Sequence, residues 1–229
     1  MTVVLKATPT VEDYLQTIHH MSREGKPVIG SHLAEKMGVA VATTFATVQR
    51  MQRDGLVQVN EHKEIVLTPM GKEMAEAVVR RHALAERLLV DVLHLPWHEA
   101  HEEAHHFEHV ISPRVEKQLM ELLNSPTTCP HGNPIPGRGE AAVADAVRLT
   151  TVPEGERVTV VRISEDAESE PALLRYLQEH GLVPGGEVEV AAIQTWNGLL
   201  LLRRENEEFP LGFPAAQKVW VRRQRSAGT

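Results

Sequence analysis

The chain has a single cysteine in 229 residues, Cys129, so no intrachain disulfide can form. Aromatic residues are scarce, at 4%, which leaves aliphatic side chains and methionine to fill the cores. No apolar run is long enough to span a bilayer. The opening residues Met1-Thr2-Val3-Val4-Leu5-Lys6 lack the basic and apolar regions of a signal peptide. These absences predict a cytoplasmic protein with no membrane partner. Internal repeats and low-complexity tracts are missing too. So is any excess of positive charge: the net charge of -7 argues against diffuse, purely electrostatic binding of nucleic acid. The imbalance is uneven, however. Residues 1–73 carry eight basic and eight acidic groups, residues 74–140 six and ten, and residues 141–229 ten and thirteen. A local basic face is therefore easiest to build in the first third.

What the chain has in abundance is histidine in one place. From His98 to His109, twelve residues hold five histidines and four carboxylates. On a helix His101, His105, Glu108 and His109 fall at i, i+4, i+7 and i+8 and share one face. His82 and Glu86 stand at i and i+4 on the preceding helical stretch, and two facing helices would bring all six together. Such crowding is unfavourable unless something compensates it. Imidazole nitrogens and carboxylate oxygens on one stripe suit a divalent first-row metal, Mn(II) or Fe(II), and also Zn(II), Ni(II) or Co(II). Neutral imidazole ligands predict that metal affinity falls on acidification below their ordinary pKa of ~6.5. Cys129, in Cys129-Pro130-His131-Gly132, reads as a loop residue, with a thiolate ligand as the alternative.

The same stretch contains His101-Glu102-Glu103-Ala104-His105, a match to the H-E-x-x-H signature of zinc metallohydrolases. In that alternative His101 and His105 bind zinc and Glu102 is the general base. It also needs a third ligand and a substrate cleft. A blander alternative is a metal-buffering protein.

The remaining pattern predicts a mainly α protein with a small β domain. Helices are expected over residues 9–24, Ser31 to Met37 and Ala40 to Arg53, the last burying Val41, Val48 and Met51. Strand-like residues 56–59 and 64–67 flank the turn Asn60-Glu61-His62-Lys63. Short helix, turn, longer helix and hairpin read as a winged helix-turn-helix. Helices follow over 69–93, Trp97 to Val110 and Pro113 to Leu123, with enough leftover apolar surface to imply a dimer interface. Residues 124–139, rich in Pro and Gly, read as an unpacked linker. Beyond them, strands at 157–163, 187–190, 199–202 and 218–221, interrupted by one helix from Pro171 to His180, suggest a small barrel.

In the winged helix, the third helix would enter the major groove of double-stranded DNA. Its outward candidates are Ala42, Thr43, Phe45, Ala46, Gln49 and Arg50. Thr43 can bond base edges, and the Ala, Phe and Thr methyl or ring carbons can touch thymine methyls. Ser31 and His32, with Arg50 and Arg53, would contact phosphates.

Several stretches carry a resemblance. They are Glu12-Asp13-Tyr14-Leu15, Arg53-Asp54-Gly55-Leu56-Val57, Leu67-Thr68-Pro69-Met70-Gly71, the run from His82 to Leu89, Glu103-Ala104 with Glu108-His109, and Gly132-Asn133-Pro134-Ile135-Pro136-Gly137. In these the chain resembles the metal-dependent transcriptional regulators of the diphtheria-toxin-repressor type, with their iron-dependent and manganese-transport branches. The resemblance implies a homodimer on a palindromic operator, acting as a repressor of metal-homeostasis genes. It implies three domains: a winged helix over 1–73, a helical metal-binding and dimerisation domain over 74–140, and an SH3-like (FeoA-like) barrel over 150–226. It places Asp13, His105, Glu108 and His109 on a regulatory metal site. His82, Glu86 and His101 fall on a second site, with Glu170 as an extra ligand and Asp166 and Glu168 close by. The iron branch has Met and Cys where this chain has Asp13 and His105, and the manganese branch has Asp and Glu. Hard Asp13 with imidazole points to Mn(II) first and Fe(II) next. Zn(II), Co(II), Ni(II) and Cd(II) remain as ions such a site accepts in vitro. Ala42, Phe45 and Ala46 stand where the family has polar base readers, so its familiar operators are not expected here.

Overall fold

A computed structural model describes residues 8–25 and 27–224. The reading of Met1 to Lys6, and the last two residues of the 150–226 span, lie outside them. The chain divides into two compact units. One comprises the described residues of Met1–Arg81 with Glu108–Val110, the other those of His82–Phe107 with Ile111–Thr229.

The first unit opens with helix α1, Pro9–Arg23, started by Thr8, whose Oγ1 accepts from the Val11 amide at 3.4 Å. Its stripe of Val11, Tyr14, Leu15, Ile18 and Met21 is buried. Helices α2, Gly30–Lys36, and α3, Val41–Arg53, are joined by a tight turn in which Gly38 takes a φ of +65°. Strands β1, Val57–Val59, and β2, Ile65–Leu67, pair antiparallel as the wing. Asn60 sets the turn between them: its Oδ1 accepts from the amides of His62 and Glu64, both at 2.9 Å. Leu33, Val48, Met51, Leu56, Val57 and Ile65 join the α1 stripe in one core. One expectation fails here. Val41 is 57% exposed, because it opens the first turn of α3, beyond the reach of the core. Thr44 and Thr47 are buried with Val48 and Met51 instead, and the Thr44 hydroxyl meets Tyr14 Oη at 3.1 Å.

Helix α4, Pro69–Arg87, continues as a single π-helical turn, Leu88–Val92. In the second unit a 3₁₀ turn, Trp97–Glu99, leads into α5, Ala100–Glu108, and Ser112 caps α6, Pro113–Leu122. The histidine-rich helix is thus shorter than expected, and His109 lies just past its end. Leu84, Ala85, Leu89, Ala100, Ala104, Ile111 and Leu119 form the helical core of this unit. Val92, Leu93, Phe107, Val115 and Leu122 of the same unit stay exposed.

The segment 124–139 is not an unpacked linker. Residues 129–136 are buried. The Trp97 indole donates to the Pro130 carbonyl at 3.0 Å, Arg87 Nε to the Thr128 carbonyl at 2.8 Å, and the Ile163 amide to the His131 carbonyl at 2.9 Å. Gly132 has room for no side chain: a Cβ there would lie 2.2 Å from the Val161 carbonyl oxygen.

Past the short helix α7, Glu140–Val143, six antiparallel strands form an SH3-like sheet in the order β3-β8-β4-β5-β6-β7. They are β3 Val147–Arg148, β4 Arg157–Ile163, β5 Glu187–Gln194, β6 Leu199–Arg204, β7 Glu207–Gly212 and β8 Val219–Arg223. Register shifts at Val160/Arg162 and Val190/Ala192 bend the sheet. Between strands lie α8 Glu165–Glu168, α9 Pro171–Glu179 and α10 Phe213–Ala216, where the sequence predicted one helix. Strand β7 was also unforeseen: Pro210 and its glutamates hide the alternation, and only Phe209 and Leu211 are buried.

The α3–wing–α4 junction is tight at Gly71, where an added Cβ would come 1.9 Å from the Leu56 carbonyl oxygen. Gly71→Ala should therefore destabilise the first unit by about 1–3 kcal/mol, the usual cost of overpacking. Chemical denaturation checks this, and unchanged stability would show that the backbone at Leu56 yields freely.

Candidate metal centres

Two clusters of carboxylates and imidazoles stand out, one in each unit. In the first unit, one turn of α1 presents Glu12, Asp13 and Gln16, while the end of α5 and the following turn supply Glu108 and His109. The sequence separation is about 95 residues. His109 Nε2 lies 2.9 Å from Asp13 Oδ1 and 3.4 Å from Glu108 Oε1. On its other side Nδ1 lies 2.6 Å from Glu12 Oε2. Glu12 in turn accepts from Arg81 Nη2 at 2.9 Å. A carboxylate on Nδ1 fixes the ring and leaves Nε2 as the ligating atom, the arrangement that orients metal-bound histidines. Glu108 has no exposed surface, and Gln16 Nε2 donates to its Oε2 at 3.4 Å. Asp13, Glu108 and His109 each offer a ligand atom, all within 4.8 Å of one another.

The second unit's cluster centres on Glu86, which is 1% exposed at the last turn of α4. Its Oε1 lies 3.2 Å from His82 Nε2, 3.2 Å from His101 Nδ1 and 3.3 Å from His131 Nδ1. Glu168 of α8 adds a second buried carboxylate, with Oε2 3.1 Å from His101 Nδ1. Asn133 holds Glu168 in place by donating Nδ2 to its Oε1 at 2.5 Å, and Arg162 holds Asn133 at 2.9 Å. His82, Glu86, His101 and Glu168 form one ligand-sized group, and Glu86, Cys129 and His131 another.

Electrostatics of this cluster follow from two anions in an apolar surrounding. Burial pushes the Glu86 carboxyl up, but the His131 and His82 charges and hydrogen bonds from His101 and His131 prevail. It is held well below the usual carboxylate range. Burial pulls His101 down, yet its hydrogen bonds to Glu168 and Glu86 raise its pKa to about 9. His131 is also raised: burial works against the shift, and the Glu86 and Glu168 charges overcome it. Burial, then the same two carboxylates, push the Cys129 thiol well up. Protons here do the neutralising that a divalent cation can do.

The donor chemistry fits such an ion at both places. The His131 Nδ1 atom is buried 3.3 Å from Glu86 Oε1 and 3.7 Å from Glu168 Oε1, within reach of the atoms that would hold a cation.

Several predicted residues land in different company from that expected. His105 does not join Asp13, Glu108 and His109 as a group; it converges with His82 and His101, its Nε2 3.3 Å from His101 Nε2. Same-face spacing placed all of these residues on one stripe, but that stripe feeds two clusters. Glu170 is not in the second cluster: its carboxylate pairs with Lys218 Nζ, because it precedes α9 rather than ending α8. Glu168, two residues earlier, lies in that cluster instead. Glu12, Gln16 and His131 were missed outright, and Cys129 is packed beside Glu86 rather than set in an open loop. His131 stands in Cys129-Pro130-His131-Gly132, where the sequence alone does not show that the loop is packed. The DNA candidates Ser31, His32, Ala42, Thr43, Phe45, Ala46, Gln49, Arg50 and Arg53 are all exposed.

A helix-turn-helix with a wing, a helical segment with clustered ligands and an SH3-like sheet define a metal-responsive DNA-binding regulator. Residues 6–65 match the iron dependent repressor N-terminal DNA binding domain. Residues 68–137 match that family's metal binding and dimerisation domain, and residues 147–223 the FeoA domain. The iron-dependent repressor IdeR of Mycobacterium leprae is 41% identical over 221 residues, 92% of this chain and 96% of that one. A diphtheria toxin repressor of Corynebacterium efficiens is 37% identical over 205 residues, 84% of this chain and 89% of that one. A manganese-dependent transcriptional repressor solved in complex with manganese superposes with a TM-score of 0.83 at 33% identity, covering 93% of this chain and 100% of that one. The chain belongs to the iron-dependent repressor family of metal-dependent transcriptional regulators. Members of this family are transcriptional repressors, not enzymes, which sets aside the zinc-hydrolase reading of His101, Glu102 and His105. No helix among the described residues is long and apolar enough to cross a membrane.

Two outcomes are expected at the second cluster. Glu168→Gln should weaken metal binding there about tenfold or more, while Glu170→Gln should leave it unchanged, as read by competition with a chromogenic chelator. Metal uptake must also expel the proton that His101 holds at pH 7, so affinity should climb with pH toward about 9 rather than level off above the ordinary histidine value. The sign follows for the metal-free protein. A histidine raised in the folded state stabilises it below ~6.5, and that contribution disappears as pH rises through about 9. Calorimetric metal titrations in buffers of different ionisation enthalpy check the proton release, and heats independent of the buffer would rule it out.

Proposed function

We propose that this chain is a homodimeric repressor that grips a palindromic duplex operator when Mn(II), or next Fe(II), is bound by Asp13, Glu108 and His109. Its targets are metal-homeostasis genes, and its site of action is the cytoplasm. In this reading residues 1–73 contact DNA, residues 74–140 carry ligands and the dimer contact, and residues 150–226 carry the SH3-like domain. The exposed Val92, Leu93, Phe107, Val115 and Leu122 supply the apolar surface that a dimer contact needs. Zn(II), Co(II), Ni(II) and Cd(II) are ions the same donors accept in vitro.

The observation that carries the proposal is the position of Asp13. It stands on α1 of the DNA-binding unit, with its carboxylate 2.9 Å from His109 Nε2. Glu108 and His109 belong by sequence to the histidine-rich stretch, yet pack into that same unit. A bound divalent ion supplies positive charge among Asp13, Glu108 and Glu12. The chain's own groups do the rest. Glu12, held by Arg81, turns His109 so that Nε2 faces Asp13, and Gln16 steadies buried Glu108. Lacking a cation, Asp13 and Glu108 repel across His109 and loosen the seating of α1. With one, α1 is fixed, and with it the core on which α3 packs. Such coupling shifts an equilibrium only by the ion's differential affinity for the two states.

In the second cluster we assign Glu86, Glu168, His82, His101 and His131 as ligands, with Cys129 beside them, and His105 at its histidine edge. Ser31, His32, Arg50 and Arg53 are assigned to phosphates, and Ala42, Thr43, Phe45 and Ala46 to base edges.

The deciding variant is Asp13→Ala. Its fold should persist, since Asp13 is part-exposed. Mn(II) should then stimulate binding to a duplex selected by the wild-type protein about tenfold less, or not at all, within the usual range of allosteric coupling. Gel shifts with and without Mn(II) measure it. Full stimulation in the variant would refute a role for this cluster.

A further inference from the structure

The outward face of α3 carries almost no hydrogen-bonding groups over its first two turns. Val41 is 57% exposed and Phe45 63%, with Ala42 and Ala46 exposed beside them. These four fall at i, i+1, i+4 and i+5, one stripe along the helix. A phenylalanine so exposed keeps most of its apolar surface in water, an unfavourable arrangement in the free protein. No acidic residue lies anywhere in α3, and Arg50 and Arg53 stand exposed at its far end. That combination of apolar stripe, absent carboxylates and flanking guanidiniums suits a polyanion with apolar groups on its inner surface. Duplex DNA offers one such group in the major groove, the C5 methyl of thymine. Polar groups able to bond base edges are few on this helix: Thr43 near its start, and Gln49 and Gln52 toward its end.

Resting on the reading of this unit as a DNA binder, we infer that Phe45 is the specificity-determining residue of α3 and selects its operator through thymine C5 methyl groups. Hydrogen-bond readout by arginine or glutamine to guanine or adenine is left to Gln49 and the helix end. Phe45 presents a flat apolar surface against which a methyl group is desolvated. Cytosine in the same place offers a C5 hydrogen and an amino donor, which Phe45 cannot satisfy. Discrimination therefore comes from methyl burial plus the cost of desolvating the wrong edge. Burying one methyl is worth about fourfold in affinity, and a symmetric dimer meets the position twice, giving about fifteenfold.

The test uses the full-length protein with Mn(II) and a synthetic duplex library of about 20 random base pairs, long enough for two half-sites one helical turn apart. The enriched duplex is then remade with deoxyuridine replacing thymidine at one symmetric pair of positions at a time. Deoxyuridine keeps every hydrogen-bonding group and removes only the methyl. The expected result is one or two positions at which the exchange weakens wild-type binding by about fifteenfold. In Phe45→Ala the penalty at those positions should shrink to under about twofold, while Phe45→Leu keeps part of it. Phe45 is exposed, so thermal unfolding of both variants should match the wild type. No uridine-sensitive position, or a penalty undiminished in Phe45→Ala, overturns the inference while leaving DNA binding intact. Failure of the wild-type protein to enrich any sequence with Mn(II) overturns the DNA-binding reading itself, and this inference with it.

Discussion

Two glutamates that water hardly reaches set the terms for the rest of the molecule. Glu86 and Glu108 are 1% and 0% exposed, each in a different unit. An ionised carboxylate removed from water costs several kcal/mol unless positive charge and hydrogen bonds replace its hydration. Three imidazoles surround Glu86, and the His109 imidazole and Gln16 amide face Glu108. Imidazole is the one cationic partner that can give up its proton and remain a good ligand. A permanent guanidinium beside Glu86 would have made a structural ion pair. Histidines make a compensated site whose positive charge is exchangeable, a proton for a metal ion.

That constraint explains why so many elements converge on Glu86. One helix contributes His82 and Glu86 at a single helical interval, and α5 contributes His101. The Pro- and Gly-rich segment contributes His131 and Cys129, and α8 contributes Glu168. Irregular backbone such as 124–139 normally lies at the surface, because its amides and carbonyls need partners. Here they are satisfied: Arg87 bonds the Thr128 and Cys129 carbonyls, Trp97 the Pro130 carbonyl, and the Cys129 amide donates to Asn133. The segment can be buried because its polar groups are spoken for, and it is buried where it delivers an imidazole to an anion.

Sequence reasoning reached the parts of this that depend on periodicity. The i, i+4 spacing of His82 with Glu86 and of His101 with His105 survives folding, since a helix fixes which residues are neighbours. The wing was legible from the turn at Asn60, and the apolar stripe of α1 from its 3.6-residue repeat. Partners across elements were not legible. Nothing in the spacing says whether His105 turns toward Glu108 or toward His101, because all three lie on one stripe. Glu168 and Glu170 are two residues apart in a run of acids, and only the four-residue helix α8 decides which carboxylate faces inward. His131 was hidden by composition, because proline and glycine mark a loop without saying whether it is packed. Val41 shows the same limit at a helix end, where periodicity continues but the core does not.

The two clusters differ in what a metal must displace. Asp13, Glu108 and His109 offer two carboxylate oxygens and one imidazole nitrogen, a hard donor set of the kind that Mn(II) and Fe(II) accept. Around Glu86 the donors are richer in nitrogen, and a thiol lies among them. The carboxylates that attract a cation there also raise His101 to about 9 and push Cys129 higher still, so protons compete for the same lone pairs. Displacing those protons costs every ion the same, so an ion early in the Irving–Williams order, which binds imidazole more weakly than Zn(II) does, is left with less net affinity there. Buried charge thus does two things at once in the second cluster. It attracts positive charge, and through the protons it retains, it decides how strongly a metal ion must bind to replace them.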